Sequence, residues 1–361
     1  MKMKPDISEN VSKKITVLNL VLTFFIVFSH WTSFYPLTAF GKPSPVANAL
    51  SEVFGVLGIV SIACFFLMAG YLFYRNLDTL EELRGKALRR FLTLGIPFLF
   101  WNAIYLIYNI AYGLYKGNLD IKALDVLLGF TLTPFDSPMW YILALIVLMG
   151  LAPLLMSLKK HPHISGVAVA LVFFTSMLIS ILTEDGGIVW NWIRRTISYA
   201  PLYFFGAFLG MHADERVREE KFYNKNYSVF AGVLFVLMVA TMVIIDVPLA
   251  FRWLFYQIIP ILLWIAVPAN LFTRVKPCLA ISIAPILYAA HSLGILVLNS
   301  LWTQKLFKTV DFPTGVDILF HVFLAGVLYL ACLGFAWVIK KILPEKIYKI
   351  FAGGTAGRKM F

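Results

Sequence analysis

The sequence predicts an all-α, polytopic membrane protein with about ten transmembrane helices. Three observations carry this. Of 361 residues, 60% are hydrophobic and only 14% are charged, with a mean hydropathy of +0.82. No water-soluble interior of this size hides so much apolar side chain. The apolar residues fall in runs of about 20, the length an α-helix needs to cross a hydrocarbon core about 30 Å thick. The short alternating pattern of a β-barrel is absent, and backbone groups in hydrocarbon must bond internally, so the runs are helices.

The elements follow in order. The N-terminal segment "MKMKPDISENVSKK" (1–14) is basic and polar. The apolar run behind it is longer than a signal-peptide core and no A-x-A site follows, so it is expected to remain as the first span. Ten spans are predicted at about 15–38, 50–74, 91–114, 138–158, 164–183, 197–212, 227–246, 250–272, 279–301 and 318–340, the sixth being the shortest. No soluble domain fits in the connections and no internal repeat is visible. With the N-terminus inside, cytoplasmic segments hold 23 of the 31 Lys and Arg residues and outer loops hold 8. This is the positive-inside bias, and it places both termini in the cytoplasm. The organisation is then a cytoplasmic segment (1–14), a ten-helix membrane domain (15–341) and a cytoplasmic tail (342–361), whose end, "AGGTAGRKMF", reads as mobile.

The net charge of +12 is explained by this topology, so nucleic acid is not an expected partner; membrane lipid is. Cys64, Cys278 and Cys332 lie in or beside apolar runs, without metal or disulfide spacing. They read as small hydrophobes. The outer stretches "LYKGNLDIKALDVLLGFTLTPFDSPMW" (114–140) and "TEDGGIVWNWIRR" (183–195) are rich in aromatics. Such residues mark membrane interfaces, and beside polar groups they also suit carbohydrate faces.

Chemistry is sought first in span one. From Lys14 to His30 is about 24 Å along a helix, which puts His30 in the outward half and Asn19 near the inner side. Eleven positions separate Asn19 from His30, so they share one face, with Thr23 between them. That stripe suits either a wet cavity or helix–helix hydrogen bonds. A second deep histidine, His291, follows Tyr288 by three residues. His321 lies near the outer end of span ten, while His161, His163 and His212 read as solvated. No carboxylate is placed mid-membrane, and no metal site is expected. The cluster "RNLDTLEELRGKALRR" (75–90) is either a topology signal in contact with headgroups or a set of cations for the phosphates of a cytosolic anion.

Six stretches resemble one family: "ITVLNLVLTFFIVFSH", "SIACFFLMAGYLFYR", "ALRRFLTLGIPFLFWN", "SPMWYILALIVLMGLAPLL", "ISIAPILYAAHSLGILVL" and "LPEKIYKIFAGGTAGR". Their order and content are similar to the integral-membrane acyltransferase family 3, whose members move acyl groups, mostly acetyl, onto cell-surface glycans and related acceptors. Asn19 stands where that family carries a basic residue, Ala69 where Ser is usual and Ala63 where Pro is common; Leu143-Ala144 replaces a charged pair of some relatives. The resemblance implies an acyl-CoA-dependent O-acyltransferase, with acetyl-CoA as co-substrate and no metal. It implies His30 as general base, with a covalent acyl-histidine as the open alternative, Asn19 on the same face, and Lys86, Arg89 and Arg90 at the donor phosphates. Trp140, Tyr141, Tyr288 and His291 are expected around the acceptor, a cell-surface glycan or lipid-linked saccharide, with Arg252 and Trp253 as further outer-face contacts. The setting implied is a bacterial cytoplasmic membrane. A transporter or flippase of a glycan precursor, and a divergent inactive member, stay open as alternatives. The acceptor's identity and the oligomeric state are not given by the sequence.

Overall fold

The structure, a computed structural model, describes residues 9–34, 45–183, 186–212, 225–272, 274, 279–298, 314–345 and 347–348. Among them every regular element is helical. In chain order the helices are α1 (Glu9–Phe34), α2 (Pro45–Tyr74), α3 (Leu80–Lys116), α4 (Ala123–Thr131), α5 (Trp140–Gly150), α6 (Ala152–Ser157), α7 (Pro162–Leu182), α8 (Ile188–His212), α9 (Lys225–Ile244), α10 (Leu249–Ala266), α11 (Leu279–Leu298) and α12 (Thr314–Ile342). Short 3-10 turns at Ser137–Met139 and Ala269–Phe272 precede α5 and follow α10.

Seven of these helices (α1, α2, α3, α7, α9, α10 and α12) are long and apolar enough to cross a membrane, and shorter apolar stretches lie at Ser137–Gly150 and Ile286–Leu298. Of the ten expected spans, the sixth belongs to a longer helix: α8 starts at Ile188 and carries Arg194 and Arg195, which the sequence placed in an outer loop. Nothing in 188–196 breaks a helix, and hydropathy marked only its apolar part. The third span likewise begins earlier, at Leu80. There Thr79 caps Glu82 N–H at 3.1 Å, Glu82 reaches back to Thr79 N–H, and the basic cluster becomes helical surface. The fourth is broken at Leu151, because Pro153 supplies no N–H and suits the first turn of a new helix, α6. Residues 35–44, with Tyr35 and Lys42, residues 299–313, Cys278, and the residues from 349 on lie outside the described residues. Tyr348 is buried, in one apolar cluster with Phe98 and Trp101.

Packing puts α1 and α2 at the centre. Half of the apolar stretch of α1 and 56% of that of α2 is buried in protein, against 11% for α7. Helix α2 meets α1, α5, α8, α9 and α10, while α11 and α12 pair and lean on α1. The closest approach is between α2 and α8. A methyl group at Gly70 would overlap the carbonyl of Tyr203, and one at Gly206 the carbonyl of Leu67; at Gly210 it would come within 2.7 Å of Tyr71 O. Small residues four apart let two helix backbones touch where lipid gives no hydrophobic drive to association. The outward side chains, such as Leu171, Phe174, Val236, Leu237, Phe323 and Leu330, are exposed and apolar, as a lipid-facing surface requires.

Candidate functional site

Two cavities lie on either side of a layer of aromatic rings. At the end of the bundle where α1 and α3 begin and α2 ends, a 220 Å³ cavity is lined by Asn19, Arg90, Phe73, Tyr141 and Tyr203 among apolar neighbours. At the opposite end, where α8 and α10 begin, a 510 Å³ cavity is lined by Asn191, Arg194, Arg195, Tyr199, Arg252, Trp253 and Gln257, with Ser180 and Ser198. Between them Phe66 stacks on Tyr199 at 5.1 Å and meets Tyr141 edge-on at 4.8 Å. Trp140 adjoins Tyr199 at 5.6 Å, and Tyr288 adjoins Tyr141 at 6.2 Å and Phe65 at 6.3 Å. Tyr141 therefore faces the first cavity and Tyr199 the second, with Phe66 against both.

At the edge of this layer stand the two deep histidines. The ring centroids of His30 and His291 are 5.2 Å apart, which brings α1 and α11 together at one point. His291 is fully enclosed, and its Nδ1 donates to the Tyr288 carbonyl at 2.6 Å. A carbonyl only accepts, so the proton sits on Nδ1 and the lone pair on Nε2, which has no hydrogen-bond partner among the described residues. His30 is partly accessible. Arg195 of α8 reaches the same layer from the larger cavity. Its guanidinium lies over the Trp140 ring at 3.9 Å, a cation–π contact.

The sequence-predicted residues divide as follows. His30 and His291 are neighbours. Asn19 and Arg90 line the same cavity as Tyr141. Thr23, expected on the polar stripe, is buried and donates to the carbonyl of Asn19 at 2.7 Å, so it serves its own helix. Lys86 donates to the Arg75 carbonyl at 2.9 Å, which fastens α3 to the end of α2. Arg89 is exposed on α3 and lines neither cavity. Trp140 is buried beneath Arg195, and the Tyr288 hydroxyl donates to Pro138 O at 2.8 Å. Arg252 and Trp253 both line the larger cavity. His212, read as solvated, instead contacts Ser165 Oγ at 3.1 Å and packs on Phe208.

Two functional groups escaped the sequence. Arg195 looked like part of a loop, although the double arginine in a Trp-rich stretch was a signal. Asp136, which the sequence leaves within the outer stretch 114–140, is fully buried. Its Oδ1 accepts from Ser292 at 2.7 Å, its backbone N–H donates to Asn102 Oδ1 at 3.3 Å, and Tyr105 adds a buried hydroxyl beside it. The loop that carries Asp136 dips between α3 and α11 and holds the residue after His291.

A family profile described as an acyltransferase domain matches residues 13–340. Comparison with curated proteins and with solved structures yields no match. The matched region contains every residue of the two cavities, the aromatic layer and the histidine pair, and seven helices in the chain are apolar enough to span a membrane. The chain therefore belongs to acyltransferase family 3, and it is a multi-pass membrane protein of the acyltransferase type.

Proposed function

We propose that the protein transfers an acyl group, acetyl in the simplest case, from cytosolic acyl-CoA to a hydroxyl of a cell-surface glycan or lipid-linked saccharide at the outer face of a bacterial cytoplasmic membrane. The observation that carries this reading is the pair of cavities at opposite ends of the bundle, joined by an aromatic layer with His30 at its edge. The Lys and Arg bias assigns the Arg90 end to the cytoplasm. The smaller cavity has one cation and mostly apolar walls, which suits a thin pantetheine arm rather than a whole nucleotide. Arg90 would meet a donor phosphate there, and Asn19 would offer an amide to the arm.

His30 takes the proton of the acceptor hydroxyl as its oxygen bonds to the thioester carbonyl carbon. The tetrahedral adduct then breaks its carbon–sulfur bond. His30 returns the proton to the departing thiolate, giving ester and free thiol, so atoms and charge balance. His291 is a positioning residue: its Nδ1–H bond to Tyr288 fixes the tautomer and the ring beside His30.

The test is transfer of radiolabelled acetyl from acetyl-CoA to saccharide by the purified full chain in proteoliposomes. His30→Ala should abolish labelling while the protein still inserts. Labelling retained at the native rate would remove His30 from the mechanism, and saccharide moved across the bilayer without acyl transfer would replace the enzyme by a transporter.

A further inference from the structure

We infer that the larger cavity binds an acidic saccharide, with Arg195 and Arg252 holding the anionic group of the sugar that receives the acyl group. This rests on the acyltransferase reading above and names the class of acceptor. Among the described residues the lining contains three arginines and no carboxylate. Arg194 is committed in part to its own loop, donating to the Thr183 carbonyl at 3.2 Å. Arg252 stands 3.6 Å from Asp246, an exposed residue outside the cavity, and Glu52 acts on Tyr256 from the rim. Glu184 and Asp185 lie outside the described residues. Arg195 rests on Trp140 and meets no carboxylate among the described residues. Arg195 is exposed to the cavity, and with an aromatic ring as its support it keeps its in-plane N–H donors open to a ligand.

A second, independent observation points to a ligand with hydroxyl groups. Gln257 and Trp253 line the same cavity and are only 4% and 6% exposed. Gln257 Nε2 donates to Ser198 O at 3.0 Å, which leaves its Oε1 as acceptor; Oε1 and Trp253 Nε1 have no partner among the described residues. Buried polar atoms are bonded as a rule, so an unpartnered acceptor and an unpartnered donor enclosed behind one wall leave two hydrogen bonds for a ligand that enters it. A sugar hydroxyl satisfies both roles, because it donates and accepts. The aromatic faces of Tyr199, Tyr256 and Trp253 suit the apolar face of a pyranose. The guanidinium of Arg195 lies on Trp140 of the aromatic layer, so an anion held there sets a neighbouring hydroxyl beside the layer at whose edge His30 stands.

Binding to the full chain in nanodiscs tests this by isothermal titration with three probes: trigalacturonate, phosphorylated maltotriose and plain maltotriose. At least one anionic probe should bind about tenfold or more tighter than maltotriose, the ratio expected of a charge-assisted hydrogen bond. Which of the two wins identifies carboxylate or phosphate as the group recognised. The preference should shrink in high salt. It should be lost in Arg195→Gln, partly restored in Arg195→Lys, and reduced in Arg252→Gln, whose side chain is 41% exposed. Equal affinities, no binding by any probe, or a preference that survives both glutamine variants overturns the inference. Release of CoA thiol is followed in parallel. Acetylation of maltotriose as fast as of the anionic probes leaves the enzyme standing and refutes the acidic acceptor. Selective anion binding without thiol release does the reverse.

Discussion

Removing the hydroxyl of Ser292 should cost the protein both stability and turnover. In Ser292→Ala the Oδ1 of Asp136 loses its 2.7 Å donor, while Asp136 itself stays buried between α3 and α11. Leaving a buried acceptor without its partner costs about 1–3 kcal/mol in water-soluble proteins. Inside membrane bundles such pairs average about 0.6 kcal/mol and reach about 1.7, because the separated helices find other partners. Asp136 is also held by Asn102, so part of the restraint survives; we expect a loss of about 1 kcal/mol. In a chain of this size that lowers the melting temperature by about 2 °C. Asp136→Ala should cost at least as much, and the double variant little more than either single one, giving a coupling of about 1 kcal/mol. Asp136→Asn keeps an oxygen for Ser292 and removes a buried charge, so it should be close to neutral in stability. Two links join this loop to α11, Asp136–Ser292 and Tyr288–Pro138, and His291 lies between their α11 ends. Losing one should let His291 shift against His30, lowering kcat more than it raises KM for the acyl donor. Fluorescence-detected size exclusion after heating gives the stabilities, and CoA release gives the kinetics. Additive losses in the double variant, or full kcat in Ser292→Ala, would refute the reasoning.

Three further outcomes follow from the packing. Arg90→Ala should raise KM for acetyl-CoA several-fold while Arg89→Ala leaves it unchanged, since Arg90 alone of the two lines a cavity; steady-state kinetics of both variants checks this. Gly206→Ala should sharply reduce folded protein, because its methyl meets the backbone carbonyl of Leu67, which cannot move aside; Gly95→Ala, with open space around it, should be neutral or stabilising by a few tenths of a kcal/mol, and detergent-extracted yield with melting temperature separates them. Thr79→Ala should lower stability by about 1 kcal/mol through loss of the α3 cap without changing KM, measured by the same heating assay.

How much of this was legible beforehand depended on what each residue reports locally. Apolar runs located the membrane helices because lipid leaves the backbone no choice but to bond within its own segment. His30 stood out for the same reason, as a costly group in an apolar stretch. The start of α3 is legible in principle: Thr79 and Glu82 have capping-box spacing, but the charges around them also fit a topology signal, and hydropathy marks the helix only from Phe91. Asp136 was hidden because a loop that folds into a bundle is polar by composition, and only the tertiary partners Ser292 and Asn102, over 150 positions later and 34 earlier respectively, make it interior. The GAFLG run in α8 held the signature of close helix contact, yet the partner on α2 shows only when both helices are placed. The meeting of His30 with His291 is of this kind too, since spacing along one helix says nothing of what a distant helix brings to it.

The aromatic layer has a consequence for the cell that houses the protein. A membrane with recesses reaching in from both faces is thin at that point, and a continuous thread of water there would drain the ion gradients on which the cell runs. Phe66, Tyr199, Tyr141 and Trp140 fill the gap with ring carbon. On the proposed reading, donor and acceptor react across the barrier while it remains an electrical insulator.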